Sequence, residues 1–299
     1  MKRAYHKIIG LTMAAGTAVA TVGLASPAGA TTGAAPIVAT PLVKATIGKS
    51  GLTIAGPHRF RPGRVAISLH AVGDERELQL ASFKKGYSFA KLRADVAAFG
   101  ASEGPNGATA AGLKHLRSAI RHTVLYGGLD AEAGKTARMT VVLSKPGRYW
   151  AYNDSGDLPV QPKLITVVGR PAHRAAPKVK AVVTANSANR FGGASVLPAH
   201  GVITFRNKST RSPHFLALIH VKKGTTRKQV IAFLRSGSQT APPFGLAGSA
   251  GTDAVGSGHS QTLTLSLPAG TYVELCFFPD PLTGMPHALM GMARIVRLK

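Results

Sequence analysis

Residues 270–292 read GTYVELCFFPDPLTGMPHALMGM, and this segment contains the single cysteine of the chain, Cys276. His287 and Met292 follow within the same segment. In an oxidising compartment a lone thiol tends to be buried and inert, paired with another chain, or held as a metal thiolate. A lone cysteine on a buried strand can equally be a small apolar residue, and a lone histidine or methionine can serve packing alone. The segment therefore predicts either a metal site or a metal-free strand end.

A second imidazole, His214, lies upstream on an earlier predicted strand. With it, the strand pattern GxYxxxC and the following His and Met resemble the cupredoxins, small β-sandwich proteins of the blue-copper type. The resemblance covers residues from about 182 to 299 and implies a sandwich fold. It also implies that His214, Cys276, His287 and Met292 are the copper ligands.

Two features of the segment depart from the cupredoxin pattern. The stretch FFPDPLTGMP places ten residues between Cys276 and His287, where the family has a much shorter loop. Glu274 shares the face of Cys276 by strand alternation, where the family has an aromatic residue. Because a bare carboxylate is costly to bury, we expect Glu274 to turn away or to find a basic partner.

A different copper site is compatible with the same segment. Met285, His287, Met290 and Met292 bring three thioethers and one imidazole together within eight positions. Such a cluster suits the handling of Cu(I) and needs no short loop. Adaptable core packing is the other interpretation of these methionines.

The chain contains an internal repeat. LASFKKGYSFAKLRADV (80–96) aligns with LIHVKKGTTRKQVIAFL (218–234), and TVVLSKPGRYWAYN (140–153) aligns with LTLSLPAGTYVELC (263–276). Both halves follow the order strand, strand, helix, Gly-rich loop, strand, strand. We predict a mainly β fold, with two tandem cupredoxin-like Greek-key β-sandwiches and short helical insertions.

The first copy of the repeat is predicted to be degenerate, without a metal site. In the alignment, Arg76 replaces His214 and Asn153 replaces Cys276. The fold can persist without the ligands, so this half has a structural or interaction role.

The ends and the composition of the chain predict its organisation. Lys2, Arg3 and Lys7 precede an apolar run and then Ala28-Gly29-Ala30, which is typical of a signal peptide cleaved near residue 30. Residues 236–260 are rich in Gly and Ser and are expected to form a long mobile loop. The predicted units are the signal peptide (1–30), a flexible leader (31–43), the degenerate domain (44–168), a basic linker (169–181) and the domain with the candidate site (182–299).

The chain is strongly basic, with 37 Lys and Arg against 12 Asp and Glu and a formal net charge of +25. Such a field favours anionic cell-wall or membrane-surface polymers as partners. The chain contains no nucleic-acid-binding motif, so no specific nucleic-acid partner is predicted. Neither paired carboxylates nor a hydrolase motif is found, so an enzyme is not expected.

These observations predict a secreted or extracytoplasmic copper-binding protein for copper storage, copper transfer or single-electron exchange. Its redox partner and oligomeric state are not identified by the sequence. The alternative is a metal-free β-sandwich module that binds anionic cell-envelope polymers through its basic surface.

Overall fold

Alternating apolar and polar residues form most of this fold, because each strand can bury one face and expose the other. The computed structural model describes residues 38–104, 107–153, 161–238, 240 and 242–299. The predicted signal peptide lies outside these residues, as do positions 31–37 of the predicted leader. Within the described part of the chain, no helix is long and apolar enough to cross a membrane.

The described residues contain strands throughout both halves, which confirms the predicted mainly β class with short helices. The strands are β1 (Leu42–Gly48), β2 (Gly51–Ala55), β3 (Arg59–Phe60), β4 (Gly63–Ala71), β5 (Arg76–Phe83), β6 (Glu103–Gly104), β7 (Gly107–Ala108), β8 (Thr123–Ala131), β9 (Thr136–Leu143), β10 (Gly147–Asn153), β11 (Lys163–Val167), β12 (Ala181–Ala185), β13 (Phe191–Gly193), β14 (Val196–Leu197), β15 (His200–Asn207), β16 (Ala217–Val221), β17 (Gly245–Gly251), β18 (Ser260–Ser266), β19 (Gly270–Leu275) and β20 (Ala293–Leu298).

The helices begin at residues that cap them. Ser88 accepts a hydrogen bond from the Lys91 amide, and Thr109 accepts one from the Gly112 amide. Thr226 and Gln229 form a reciprocal capping box, as their spacing predicts. The helices are α1 (Phe89–Ala101), α2 (Ala110–His122) and α3 (Arg227–Arg235).

Two large sheets contain strands from both halves of the chain. One sheet has the order β13-β12-β15-β18-β9-β4-β1-β2, and the other has the order β14-β20-β19-β16-β17-β8-β5-β10-β11-β3. The main core cluster contains buried residues from both sheets, so they pack face to face.

The strand order of the first half recurs in the second. Reading outward from the middle of each sheet, β9-β4-β1-β2 matches β18-β15-β12-β13, and β8-β5-β10-β11-β3 matches β17-β16-β19-β20-β14. The parallel pairs also match, because β1 with β4 corresponds to β12 with β15. Among the described residues, helix α2 and the β6–β7 hairpin have no counterpart in the second half.

The two halves are joined by direct strand pairing, which the sequence did not predict. β18 pairs with β9, and β17 pairs with β8, both antiparallel. A buried side chain strengthens this junction, since the Gln261 amide donates to the Gly128 carbonyl and its oxygen accepts from the Gly128 amide, both at 2.8 Å. The predicted domain boundaries stay a prediction.

The described residues of 236–260 contain a strand, where their composition predicted a long mobile loop. Strand β17 lies within them and pairs with both β16 and β8, and the following residues, 252–255, are buried. The small residues allow close strand packing here, because a Cβ at Gly251 would clash with the Asp130 carboxylate. Glycine therefore reflects close packing at this position.

Some of the described residues in the predicted leader and linker pack against the first half. Strand β1 begins at Leu42, inside the predicted leader, because it pairs with β4 and buries Val43. In the linker, the buried Arg174 guanidinium donates to the carbonyls of Arg61 and Arg64, each at 3.1 Å. These contacts attach the linker to the first half.

Candidate metal centre

Three neighbouring strands bring the predicted ligands to one end of a sheet. β16 pairs with β19, and β19 pairs with β20, all antiparallel. His214 precedes β16, Cys276 follows β19 and Met292 precedes β20. Antiparallel strands alternate in direction, so the start of β16, the end of β19 and the start of β20 meet at the same edge.

The structure brings His214, Cys276 and His287 together. The Cys276 Sγ lies 3.7 Å from the His214 Nδ1 and 3.6 Å from the His287 Nδ1. The three potential ligand atoms all lie within 4.8 Å of one another, and the three side chains are buried. A metal about 2.0 to 2.3 Å from three ligands in a plane would hold sulfur about 3.8 Å from each nitrogen. The spacing between the side chains therefore matches that of a bound metal.

The orientation of the two imidazoles also suits a metal. Their Nδ1 atoms face the sulfur, and their rings are tilted with centroids 4.6 Å apart. Both Nε2 atoms are buried and have no hydrogen-bond partner among the described residues. Two neutral imidazoles and one thiol in a closed space, with Met292 nearby, fit a type-1 copper site.

Burial favours the neutral form of all three groups. It lowers the pKa of His214 to about 3, with a further contribution from His287, and it lowers the pKa of His287 to about 4. Burial also raises the pKa of the Cys276 thiol to about 12. Both imidazoles therefore offer lone pairs at neutral pH, and a metal that binds the sulfur must displace its proton.

The sulfur and His214 are held by hydrogen bonds from the surrounding chain. The Phe215 amide donates to the Cys276 Sγ at 3.5 Å. The backbone of His214 exchanges two hydrogen bonds with Val255, although regular pairing in β16 begins only three residues later. Asn207 is fully buried, and its amide donates to the carbonyls of Ser212 and Val255, both at 2.9 Å. Together these bonds fix the segment that presents His214.

The loop between Cys276 and His287 is organised around Asp280. Its Oδ1 accepts from the amides of Leu282 and Thr283 at 2.9 and 3.0 Å. The His287 amide donates to the Phe278 carbonyl at 3.0 Å, which closes the loop at its base. The Asp280 Oδ2 lies 4.0 Å from the His287 Nε2. A carboxylate beside the outer nitrogen of a ligating histidine can orient the ring.

Glu274 finds the basic partner that the sequence analysis expected. Its side chain is fully buried, and the Arg294 guanidinium donates to both of its carboxylate oxygens at 2.6 and 3.0 Å. Burial raises the pKa of Glu274 to about 7, although Arg294 opposes this shift. Glu274 and Arg294 are direct partners across β19 and β20, so the ion pair joins these strands beside Cys276.

The residues of the alternative Cu(I) cluster lie in different environments, some buried and some at the surface. Met292 is buried in the same core cluster as Cys276, and its amide donates to the His287 carbonyl at 2.8 Å. Met285 is half-buried, whereas Met290 is exposed at the surface. The set of Met285, His287, Met290 and Met292 stays a prediction.

The first half carries other residues at the positions of two ligands. Arg76 begins β5 as the repeat alignment places it, and Asn153 ends β10. Both side chains are buried. The first half therefore retains the fold at this place with a cation and an amide instead of an imidazole and a thiol.

Sequence reasoning missed Asn207, Asp280 and Arg294, which support the site. A basic partner such as Arg294 could have been predicted, because a buried Glu274 requires a cation. Asn207 supports a segment that is distant in sequence, and Asp280 lies within an irregular loop. Neither position belongs to a periodic pattern that would have indicated its role.

Comparison with known proteins gives likenesses among solved structures alone. No family model matches the chain, and no curated protein matches it. Auracyanin from the photosynthetic bacterium Roseiflexus castenholzii is 21% identical, with 40% of this chain and 94% of that chain covered and a TM-score of 0.26. Copper nitrite reductase from Nitrosomonas europaea is 12% identical, with 87% and 94% covered and a TM-score of 0.25. These scores are low, so the assignment of the site depends on its own geometry.

Proposed function

We propose that this protein binds one copper ion through His214, Cys276, His287 and Met292 and exchanges single electrons. The observation that carries the proposal is the pair of Sγ to Nδ1 distances, 3.7 and 3.6 Å, in a buried space. His214, Cys276, His287 and Met292 would hold the ion through two imidazoles, a thiolate and a thioether, and copper bound there would supply reversible one-electron chemistry.

The enclosure of the site favours electron exchange over catalysis. His214, Cys276, His287 and Met292 are all fully buried, so a substrate has no direct approach to the ligand atoms. Catalytic metal sites keep an open coordination position. Storage or transfer of copper would require the loop at 277–286 to open, whereas an electron can leave a closed site. We therefore propose that the protein is an electron carrier and not an enzyme.

The basic surface and the N-terminal sequence favour a location in the cell envelope. Export with removal of the predicted signal peptide, which holds three of the cations, would place a protein of formal net charge +22 among anionic cell-wall or membrane-surface polymers. These polymers are the proposed partners, together with a redox partner whose identity is open.

Copper titration tests the proposed site. Cu(II) added to the metal-free protein should produce a thiolate charge-transfer band in the visible, with one copper bound per chain. Cys276→Ser should abolish the band, because the thiolate is the donor of the transition, and Met290→Leu should leave it unchanged.

Two results would contradict this site. A protein that takes up Cu(I) alone, stays colourless and retains copper after Cys276→Ser would favour the cluster of Met285, His287, Met290 and Met292. A protein that takes up copper in neither oxidation state would favour the metal-free envelope module.

A further inference from the structure

Two structural features that distinguish the halves of the repeat are in contact with each other. In the part of the chain that the structure describes, helix α2 and the β6–β7 hairpin occur in the first half alone, and the second half contains the ten-residue loop after Cys276. The Arg117 Nη1, on α2, donates to the Pro281 carbonyl at 3.1 Å. The Ala108 amide, on β7, donates to the Thr283 carbonyl at 3.2 Å.

The contact between the hairpin and the loop is close enough to exclude side chains on both surfaces. A Cβ at Gly284 would lie 2.7 Å from the Ala108 Cβ, and a Cβ at Gly107 would clash with the Thr283 carbonyl. Both glycines have positive φ angles, +74° and +105°, which other residues rarely adopt. The two backbones therefore fit together directly.

This contact lies one residue away from the group that faces His287. Arg117 holds the carbonyl of Pro281, and the preceding Asp280 has its Oδ2 at 4.0 Å from the His287 Nε2. A short loop would fix the distance between Cys276 and His287 through its own covalent length. A loop of ten residues has more conformations available, so an external contact is needed to select one.

We propose that the first half positions His287 for the metal site through the contact of Arg117 and Ala108 with the loop at 277–286. This inference rests on the proposed copper function, because positioning His287 matters only if His287 binds the metal. The role that it assigns to the first half is support of the loop at 277–286. Arg117 is a positioning residue, since it acts through Pro281 and Asp280 and touches no ligand.

Hydrogen exchange in the metal-free protein tests the contact without copper. Arg117→Ala should accelerate amide exchange across residues 280–287 by roughly threefold to tenfold, which is the effect of losing one hydrogen bond. Arg117→Lys keeps a donor and should restore much of the protection. Arg121→Ala removes an exposed arginine from the same helix and should match the unchanged protein.

The copper-loaded protein supplies the second readout. Arg117→Ala should shift the wavelength or intensity of the charge-transfer band and change the reduction potential, and copper release should accelerate by about tenfold or more. Gly107→Val should do the same by pushing the Thr283 carbonyl away. A change in overall stability alone would leave the band position unmoved.

The inference is overturned if Arg117→Ala and Gly107→Val both leave loop exchange, band position and potential as in the unchanged protein. Failure of the proposed function is a separate result, because it appears as the absence of copper uptake. The exchange measurement still decides the role of Arg117 in that case.

Discussion

Cys276 lies between two imidazoles whose Nδ1 atoms are 3.6 and 3.7 Å from its sulfur. Each of these groups is desolvated, and each is neutral when no metal is bound, so the arrangement avoids the cost of an isolated buried charge. The same neutrality leaves both imidazole lone pairs free to bind a cation. At the residue scale the site is a buried group of potential metal-ligating atoms, and hydrogen bonds of the surrounding backbone hold it in place.

Glu274 lies on β19, two residues before Cys276, and Arg294 compensates its charge. Arg294→Ala should lower the free energy of unfolding by about 3 kcal/mol, because it leaves the buried carboxylate without its cation. Arg297→Ala, an exposed change on the same strand, should have little effect. Urea unfolding of the metal-free proteins measures the free energy of unfolding of both variants. If Arg294→Ala were as stable as the unchanged protein, the ion pair would contribute nothing to stability.

At the scale of secondary structure, the Asp95 carboxylate on α1 joins this helix to α2. The Tyr87 hydroxyl donates to the Asp95 Oδ2 at 2.8 Å, and the His115 Nδ1 lies 2.7 Å from the Asp95 Oδ1. Burial alone would raise the pKa of Asp95, but hydrogen bonds from His115, Ser118 and Tyr87 outweigh it and leave the pKa below its ordinary value.

The lowered pKa of Asp95 predicts a pH dependence of stability. Its contribution is fully present above the pKa of the unfolded chain, about 3.9, and is lost as pH falls through the lower pKa of the folded state. Asp95→Asn should therefore lower the free energy of unfolding at neutral pH. Below about pH 4 the free energies of unfolding of the variant and of the unchanged protein should approach each other. Thermal unfolding between pH 2 and pH 7 measures this, and Tyr87→Phe should give an intermediate result. A difference that is constant with pH would contradict the assignment.

At the scale of the whole molecule, the two halves share both sheets. The junction consists of β9 with β18 and β8 with β17, so strand hydrogen bonds continue from one copy of the repeat into the other. The contact of α2 with the loop at 277–286 adds a second connection. The first half is thus part of the same β-sheets as the candidate site.

The charge of the whole molecule predicts salt-sensitive retention on anionic polymers. The protein should bind an anionic cell-wall polymer or anionic vesicles at about 0.05 M salt and elute steeply by about 0.5 M, as the Debye length falls from about 14 Å to about 4 Å. A neutral polysaccharide of similar size is the control and should retain nothing. Retention that does not respond to salt, or none at low salt, would contradict the envelope partner.

The sequence alone predicted the mainly β class with short helices, the repeat and the four candidate ligands. Local patterns carry this information: strand alternation, the capping residues Ser88 and Thr226, and the order of His214, Cys276, His287 and Met292. The pairing of Glu274 with a basic residue was also predictable, since burial of a carboxylate has few solutions.

The tertiary structure alone decided how these parts meet. The junction of the halves depends on close packing at Gly251, which composition suggested was a mobile loop. The support of His214 by Asn207 and of the loop by Arg117 depends on contacts between segments distant in sequence. Such contacts follow from the path of the whole chain, and no local spacing encodes them. The ten-residue loop can hold His287 beside Cys276 because the other half of the molecule packs against it.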